Sequence, residues 1–148
     1  MTPIAVTRII KAPIDVVFKT VADIRQFKEA LPHVVRFEFL SKTESGVGTR
    51  FSETRVMKGK EVATELDVTE YVENDRVRMV ADTNATVWDT TFVVTSDEGT
   101  TTLVTTMHAR AYKWLPKLMN PLIRGMIAKF VENDMDLVKA YCEDVEKT

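Results

Sequence analysis

The sequence has few of the residues on which disulfides and metal clusters depend. Its 148 residues include one cysteine and two histidines. A lone Cys142 cannot form an intrachain disulfide, and it excludes a metal cluster held by several thiolates. No spacing of histidine with aspartate or glutamate matches that of a metal site. We therefore predict no metal and no cofactor, and we expect a reducing compartment.

Long apolar runs and a targeting leader are also missing. No continuous apolar stretch reaches the roughly 18 to 20 residues with which a helix crosses a bilayer. The apolar run at the N-terminus is interrupted by Arg8 and Lys11, and neither a basic leader nor a small-residue cleavage site accompanies it. We predict a cytoplasmic protein without a transmembrane segment, and we expect the chain to be complete as it stands.

Charge of one sign does not dominate the sequence. The 20 Lys and Arg residues are scattered among 22 Asp and Glu residues, for a net charge of −2. A nucleic-acid binder needs a concentrated basic surface that displaces counterions from phosphates, so nucleic acid is not an expected partner. Apolar residues make up 45% and charged residues 28%, as in an ordered globular protein. We predict a single domain over residues 1–148.

Seven segments carry the signals of β-strands, namely β-branched and aromatic residues between short turns. They are residues 3–11, 33–42, 48–57, 61–72, 76–83, 86–95 and 100–112. The turns that separate the last six segments are short and rich in glycine, asparagine and aspartate. Such brief connections favour antiparallel hairpins over helical crossovers.

Helical spacing appears on either side of the strand-rich region. Pro13 starts a short helix, and Asp23 caps a second one that Pro32 ends. Residues 115–147 read as one long helix, with a kink or a separate turn expected near Pro121 and Gly125. The apolar stripe predicted to face the sheet is Met119, Leu122, Met126, Phe130, Asn133, Leu137 and Tyr141.

The long helix carries a second apolar side, formed by Ile123, Ile127 and Val131. With this second side, the apolar surface of the helix is wider than one sheet needs to cover. This side could dock a second copy of the chain, rest on a membrane surface or back onto the two short helices. The last of these is the least demanding, and a homodimer through the C-terminal helix is the alternative that we retain.

Strand twist predicts a cavity under the long helix. A strongly twisted antiparallel sheet cannot pack flat against one helix, because the twist opens a wedge between them. Flexible methionine side chains suit the lining of such a space. The residues predicted to line it are Phe51, Glu53, Arg55, Met57, Trp88, Phe92, Met107, Leu122, Met126 and Phe130.

Glu53 and Arg55 are the candidate catalytic residues in this set. They alternate with Ser52 and Thr54, so they share a strand face with Phe51. If they are buried, these two charges must pair with each other or contact a polar ligand. Glu53 could then act as an acid or base, and Arg55 could donate hydrogen bonds to an anion. The alternative is a structural ion pair at the cavity mouth, or a place on the solvent face.

Four segments together resemble the START-like, or helix-grip, superfamily, and within it the polyketide cyclase/dehydrase and lipid-transport group. The segments are residues 9–23 (IIKAPIDVVFKTVAD), 39–61 (FLSKTESGVGTRFSETRVMKGKE), 68–71 (VTEY) and 130–141 (FVENDMDLVKAY). The resemblance implies a β-α-α-β6-α order, with a seven-stranded curved antiparallel sheet and a C-terminal helix that closes a hydrophobic tunnel. It supports a special place for Glu53 and Arg55 without supplying a reaction.

Three classes of function follow from these observations. The first is a carrier that binds a small lipid-like, polyketide-like or aromatic molecule in the cavity. The second is a cyclase, dehydratase or isomerase of an apolar carbonyl substrate, with Glu53 as general base. The third is a protein-interaction module, because residues 22–34 (ADIRQFKEALPHV) are similar to the quinone-binding and ribosome-associated branch of the superfamily. No catalytic role is expected for His33 or His108.

Overall fold

The computed structural model describes residues 2–113 and 121–147, and within these ranges the chain forms seven strands and three helices. The strands are β1 (Ile4–Ile10), β2 (Val34–Phe39), β3 (Arg50–Met57), β4 (Lys60–Val72), β5 (Arg76–Thr83), β6 (Thr86–Asp97) and β7 (Thr100–Ala111). The helices are α1 (Ile14–Ala22), α2 (Ile24–Ala30) and α3 (Pro121–Lys147). This order confirms the predicted α+β class and the β-α-α-β6-α arrangement.

The strands form one open antiparallel sheet in the order β1-β7-β6-β5-β4-β3-β2. Consecutive strands from β2 to β7 are neighbours, as the short turns predicted, and β1 pairs with β7. The β3–β4 turn shows why the connections are tight. Lys58 and Gly59 have φ angles of 52° and 78°, and this left-handed backbone matches the twist of the strands that it joins.

Two register shifts interrupt the ladders, one between Val34 and Arg36 in β2 and one between Val68 and Glu70 in β4. An extra residue in one strand of a pair bends that strand and increases its twist. These irregularities lie on the β2–β4 half of the sheet. They therefore add to the general twist of the strands. The added twist keeps the helices from packing flat on this half of the sheet.

The two short helices begin and end at the predicted residues. Pro13 precedes α1 with φ −63°, a value that suits a helix start. Asp23 caps α2, because one of its carboxylate oxygens accepts a hydrogen bond from the backbone N–H of Arg25 at 2.9 Å. Leu31 follows the last helical residue, and Pro32 cannot continue the helix.

The buried face of α3 differs from the predicted one in part, since Leu137 and Tyr141 of the predicted stripe pack against the core but its other described members do not. Val131, Met135, Val138 and Cys142 are buried, together with Asp134, and α3 packs against α1, α2 and β1. In contrast, the exposed fraction is 78% for Leu122, 45% for Met126 and 41% for Phe130. Both apolar stripes have helical spacing, and a shift of one residue turns the helix by about 100°. Met119 lies outside the described residues.

Polar contacts between α3 and β1 accompany this orientation of the helix. Arg8 of β1 donates a hydrogen bond to Asp136 at 2.6 Å, and the Nζ atom of Lys139 donates one to the carbonyl of Ile9 at 2.7 Å. These contacts hold one side of α3 along the edge strand β1. The second apolar side of the helix faces the core, since Val131 is buried and Ile127 packs against the core.

Homodimerisation through α3 stays a prediction. No helix within residues 2–113 or 121–147 is both long enough and apolar enough to cross a membrane.

The rotation of α3 can be tested by truncating one residue on each stripe. We expect Val138→Ala to lower the free energy of unfolding by about 2 kcal/mol, since it removes two fully buried methyl groups and leaves a gap. Met126→Ala serves as the control and should change it by less than about 0.5 kcal/mol. Urea denaturation monitored by circular dichroism gives both values. A larger loss for Met126→Ala would place the predicted stripe in the core after all.

Candidate functional site

A cavity of about 120 Å³ lies between the sheet and the three helices. The helices contribute the apolar side chains Val21, Ile24, Phe27, Val131 and Met135. The strands contribute the apolar side chains Phe51, Leu66, Met79, Phe92 and Met107. The polar residues in the wall are Glu53, Arg55, Thr90, Thr105 and Asp134. The space is therefore mostly apolar, with its charged residues confined to β3 and α3.

Arg55 joins two carboxylates that come from different elements. Its Nε atom donates a hydrogen bond to Glu53, two residues away on β3. Its Nη1 atom donates a second one to Asp134 of α3, at 2.7 Å. The guanidinium also lies 5.8 Å from the centroid of the Phe27 ring, which is within the range of a cation–π contact. Arg55 thus links the sheet to both α2 and α3.

His33 completes this group of charged residues. Its Nε2 atom lies 3.2 Å from Asp134 and 3.4 Å from Nη1 of Arg55. We call His33, Glu53, Arg55 and Asp134 the charged cluster. No three His, Cys, Asp or Glu residues in the described part of the chain are arranged so that they could hold a metal ion. Arg55 contacts all three of the other members of the cluster.

The two carboxylates of the cluster are deeply buried, with exposed fractions of 6% for Glu53 and 8% for Asp134. Burial acts to lower the pKa of Arg55, but the charges of Glu53 and Asp134 and the hydrogen bonds to both outweigh it, so the pKa is raised. Arg55 thus stays charged. Its positive charge stabilises two negative charges that would otherwise be costly to bury.

Glu53 has hydrogen-bonding capacity to spare. Its Oε1 atom accepts the bond from Arg55. Within residues 2–113 and 121–147, no group donates a hydrogen bond to its Oε2 atom. An ionised carboxylate can accept about four hydrogen bonds. One oxygen of this cavity-wall carboxylate is therefore open to a donor.

Arg55 and Asp134 separate the cavity from a depression on the surface. Both residues line the cavity, and both also line an outer space of about 240 Å³ with His33, Met57 and Phe130. The contact between their side chains joins β3 to α3 at this boundary.

The match to known families covers almost the whole chain. Residues 1–143 match the family described as "Polyketide cyclase / dehydrase and lipid transport". The chain belongs to this family. A search of curated proteins found no match.

Solved structures show the same fold. A START superfamily protein from Mycobacterium smegmatis superposes with a TM-score of 0.79 at 11% identity, over 97% of this chain and 98% of that one. A protein from Thermus thermophilus superposes with a TM-score of 0.75 at 20% identity, over 93% of this chain and 94% of that one. The di-domain ARO/CYC protein StfQ from the steffimycin biosynthetic pathway superposes with a TM-score of 0.76 at 14% identity, over 99% of this chain and 52% of that one.

The family fold brings five of the predicted site residues to the cavity wall. They are Phe51, Glu53, Arg55, Phe92 and Met107. All five lie on strands, where alternation from residue to residue determines which face a side chain occupies. Their burial also excludes a solvent-facing position for Glu53. The pairing of Glu53 with Arg55 agrees with the structural ion pair that was the alternative reading.

The other five predicted site residues lie elsewhere. Met57 and Phe130 border the outer depression, and Met126 borders a shallow one beside Phe130. Trp88 is half-buried on the same face of β6 as Phe92, but it does not contribute to the cavity wall. Leu122 is exposed. Ligand contact by these five residues stays a prediction.

Sequence reasoning missed the particular helix residues that line the cavity. Asp134 was not proposed, although it alone in α3 forms the ion pair with Arg55. Its signal was the spacing of Val131, Asp134 and Val138, which places an acidic residue within an apolar stripe. A buried acid among apolar neighbours needs a cation, and Arg55 was available as its partner.

His108 and Asp89 lie outside the cavity wall, on neighbouring strands where they are paired in register. Asp89 accepts hydrogen bonds from Nε and Nη2 of Arg78 at 2.8 and 2.5 Å, and from Arg110 at 3.3 Å. The hydrogen bonds from Arg78 hold the pKa of Asp89 below its usual value, against the opposite effect of burial. Asp89 is therefore held in an ion-pair group with Arg78 and Arg110.

The structural role of Arg55 predicts a specific loss of stability. We expect Arg55→Met to lower the free energy of unfolding by about 3 kcal/mol, because it keeps much of the side-chain volume but leaves buried carboxylates without their cation. Arg36→Met is the matched control, since the Arg36–Glu61 pair is exposed and water solvates the remaining carboxylate. It should scarcely move the urea midpoint. Equal effects of the two substitutions would mean that the buried ion pair contributes no more to the free energy of unfolding than the exposed one.

Proposed function

We propose that the protein binds a small apolar molecule in the cavity, with the polar end of the molecule at the charged cluster. The observation that carries this proposal is the distribution of polarity in the wall, which is apolar except for a few polar groups. Ligand sites in proteins combine an apolar lining with a few polar groups that orient the ligand. Membership of a family whose description includes lipid transport supports the same function.

The size of the cavity restricts the ligand. Its volume of about 120 Å³ is close to that of an apolar cavity of about 150 Å³ that takes up benzene. Drug-sized ligands occupy sites of roughly 300 to 1,000 Å³. A single ring or a short aliphatic chain therefore fits the cavity, whereas a molecule with several rings needs the outer depression as well.

The affinity for such a ligand follows from the area that it buries. A ring that buries about 200 Å² gains about 5 kcal/mol at roughly 25 cal/mol per Å². The loss of translational and rotational freedom on binding offsets part of this gain. A dissociation constant in the high micromolar to millimolar range is expected for a ring without a polar group.

A second candidate function is catalysis of the cyclase or dehydratase type, with Glu53 as general base. It is favoured by the buried Glu53 carboxylate, whose Oε2 atom faces no donor in the described part of the chain. A base must be ionised and within hydrogen-bonding reach of the proton that it removes.

Proton exchange from a small ketone separates catalysis from binding. A general base at Glu53 should speed the exchange of the α-protons of cyclohexanone in deuterated water, and Glu53→Gln should remove this acceleration. Proton NMR of the ketone measures both rates. Exchange that is equally slow with the original protein and with the variant would restrict the function to binding.

Filling the cavity should block binding. Val131→Phe introduces a ring from α3 into the cavity, so we expect the affinity for toluene to fall at least about tenfold, while the added contacts limit the loss of stability. Ala140→Phe makes a comparable change on the exposed side of the same helix and should bind toluene normally. Chemical shifts of ¹³C-labelled methionine methyl groups report binding at Met79, Met107 and Met135. Unchanged toluene affinity in a folded Val131→Phe variant would refute this location of the site.

A further inference from the structure

The charged cluster carries no net positive charge in either protonation state of His33. Glu53 and Asp134 are carboxylates, Arg55 is the guanidinium that they share, and His33 lies at the partly exposed edge. The net charge of the cluster is −1 with a neutral His33 and zero with a protonated one. It is therefore not a site for an anionic ligand, although an arginine in an apolar cavity would by itself suggest one.

The hydrogen bonds of Arg55 reinforce this conclusion. Its Nε atom is directed at Glu53 and its Nη1 atom at Asp134. A ligand carboxylate would have to compete with these two carboxylates for the guanidinium, and it would lie close to both of them. Like charges at such distances in a poorly solvated space repel strongly.

The position of Glu53 adds the second observation. Its side chain is more than nine-tenths buried and belongs to the cavity wall, and nothing in the described ranges donates to its Oε2 atom. A hydrogen bond to a charged acceptor is stronger than one between neutral groups. A ligand that supplies an O–H group would satisfy this oxygen.

We infer that the ligand is an uncharged molecule whose polar end is a hydroxyl group, which donates a hydrogen bond to Glu53. This inference rests on the proposed binding function and narrows its ligand class to small phenols and alcohols. An ammonium group is disfavoured because it would have to lose its water shell in an apolar space next to the guanidinium of Arg55. The apolar wall then holds the ring or chain that carries the hydroxyl group.

The test compares four single-ring probes of similar size at pH 7, namely phenol, toluene, benzoate and benzylamine. Phenol is neutral at this pH, whereas benzoate and benzylamine are charged. Titrations followed by the ¹³C-methyl signals of Met79, Met107 and Met135 localise each probe in the cavity. Met126, which is outside the cavity, is the internal reference. We expect phenol to bind at least about tenfold more tightly than each of the other three.

The outcomes separate the inference from the proposed function. Toluene binding equal to or tighter than phenol binding overturns the hydroxyl preference but leaves the cavity as an apolar binding site. Tighter binding of benzoate or benzylamine overturns the uncharged ligand. If none of the four probes moves the methionine signals, both the inference and the proposed function fail.

Removal of the acceptor charge gives an independent check. In Glu53→Gln, the affinity for phenol should fall about tenfold while that for toluene stays the same, because only phenol uses the carboxylate. Glu61→Gln makes the same substitution at an exposed carboxylate and should leave both affinities unchanged. An unchanged phenol affinity in Glu53→Gln would contradict the proposed hydrogen bond. Should this variant not fold, the comparison of probes in the original protein still decides.

Discussion

The burial of two carboxylates around one guanidinium is the constraint on which the site depends. Glu53 and Asp134 lose almost all contact with water, and Arg55 compensates for both. Because Glu53 and Arg55 belong to β3 and Asp134 to α3, this ion-pair group also joins the sheet to the long helix. Removal of the cation would leave uncompensated charge in the core. The same group is therefore both a structural tie and the polar end of the cavity.

The remainder of the cavity follows from how strands and helices meet. The sheet is twisted and its β2–β4 half contains two register shifts, so α2 and α3 cannot close on it with side chains alone. Methionines and phenylalanines line the remaining space. Three members of the charged cluster belong to the same wall, and two of them, Arg55 and Asp134, also border the outer depression.

The strand-derived part of the site could be predicted because strand geometry has a period of two. Once Phe51 was placed inward, Glu53 and Arg55 had to follow it, and both line the cavity. The α3 part could not be predicted in the same way. Two apolar stripes run along this helix, and helical spacing alone does not determine which one is buried. The observed orientation of α3 differs from the predicted one by about 100°, so Met126 and Phe130 face outward and Asp134 faces inward.

The sequence by itself determined the element order, the antiparallel pairing and the family, since turn residues, caps and alternation act over a few neighbouring positions. It also determined that Glu53 and Arg55 share one strand face. Only the tertiary structure decided that Asp134, 79 positions after Arg55, shares its guanidinium, and that Glu53 keeps one oxygen open toward the cavity. Such contacts depend on how a helix is rotated and placed against a sheet, and local sequence patterns do not contain that information.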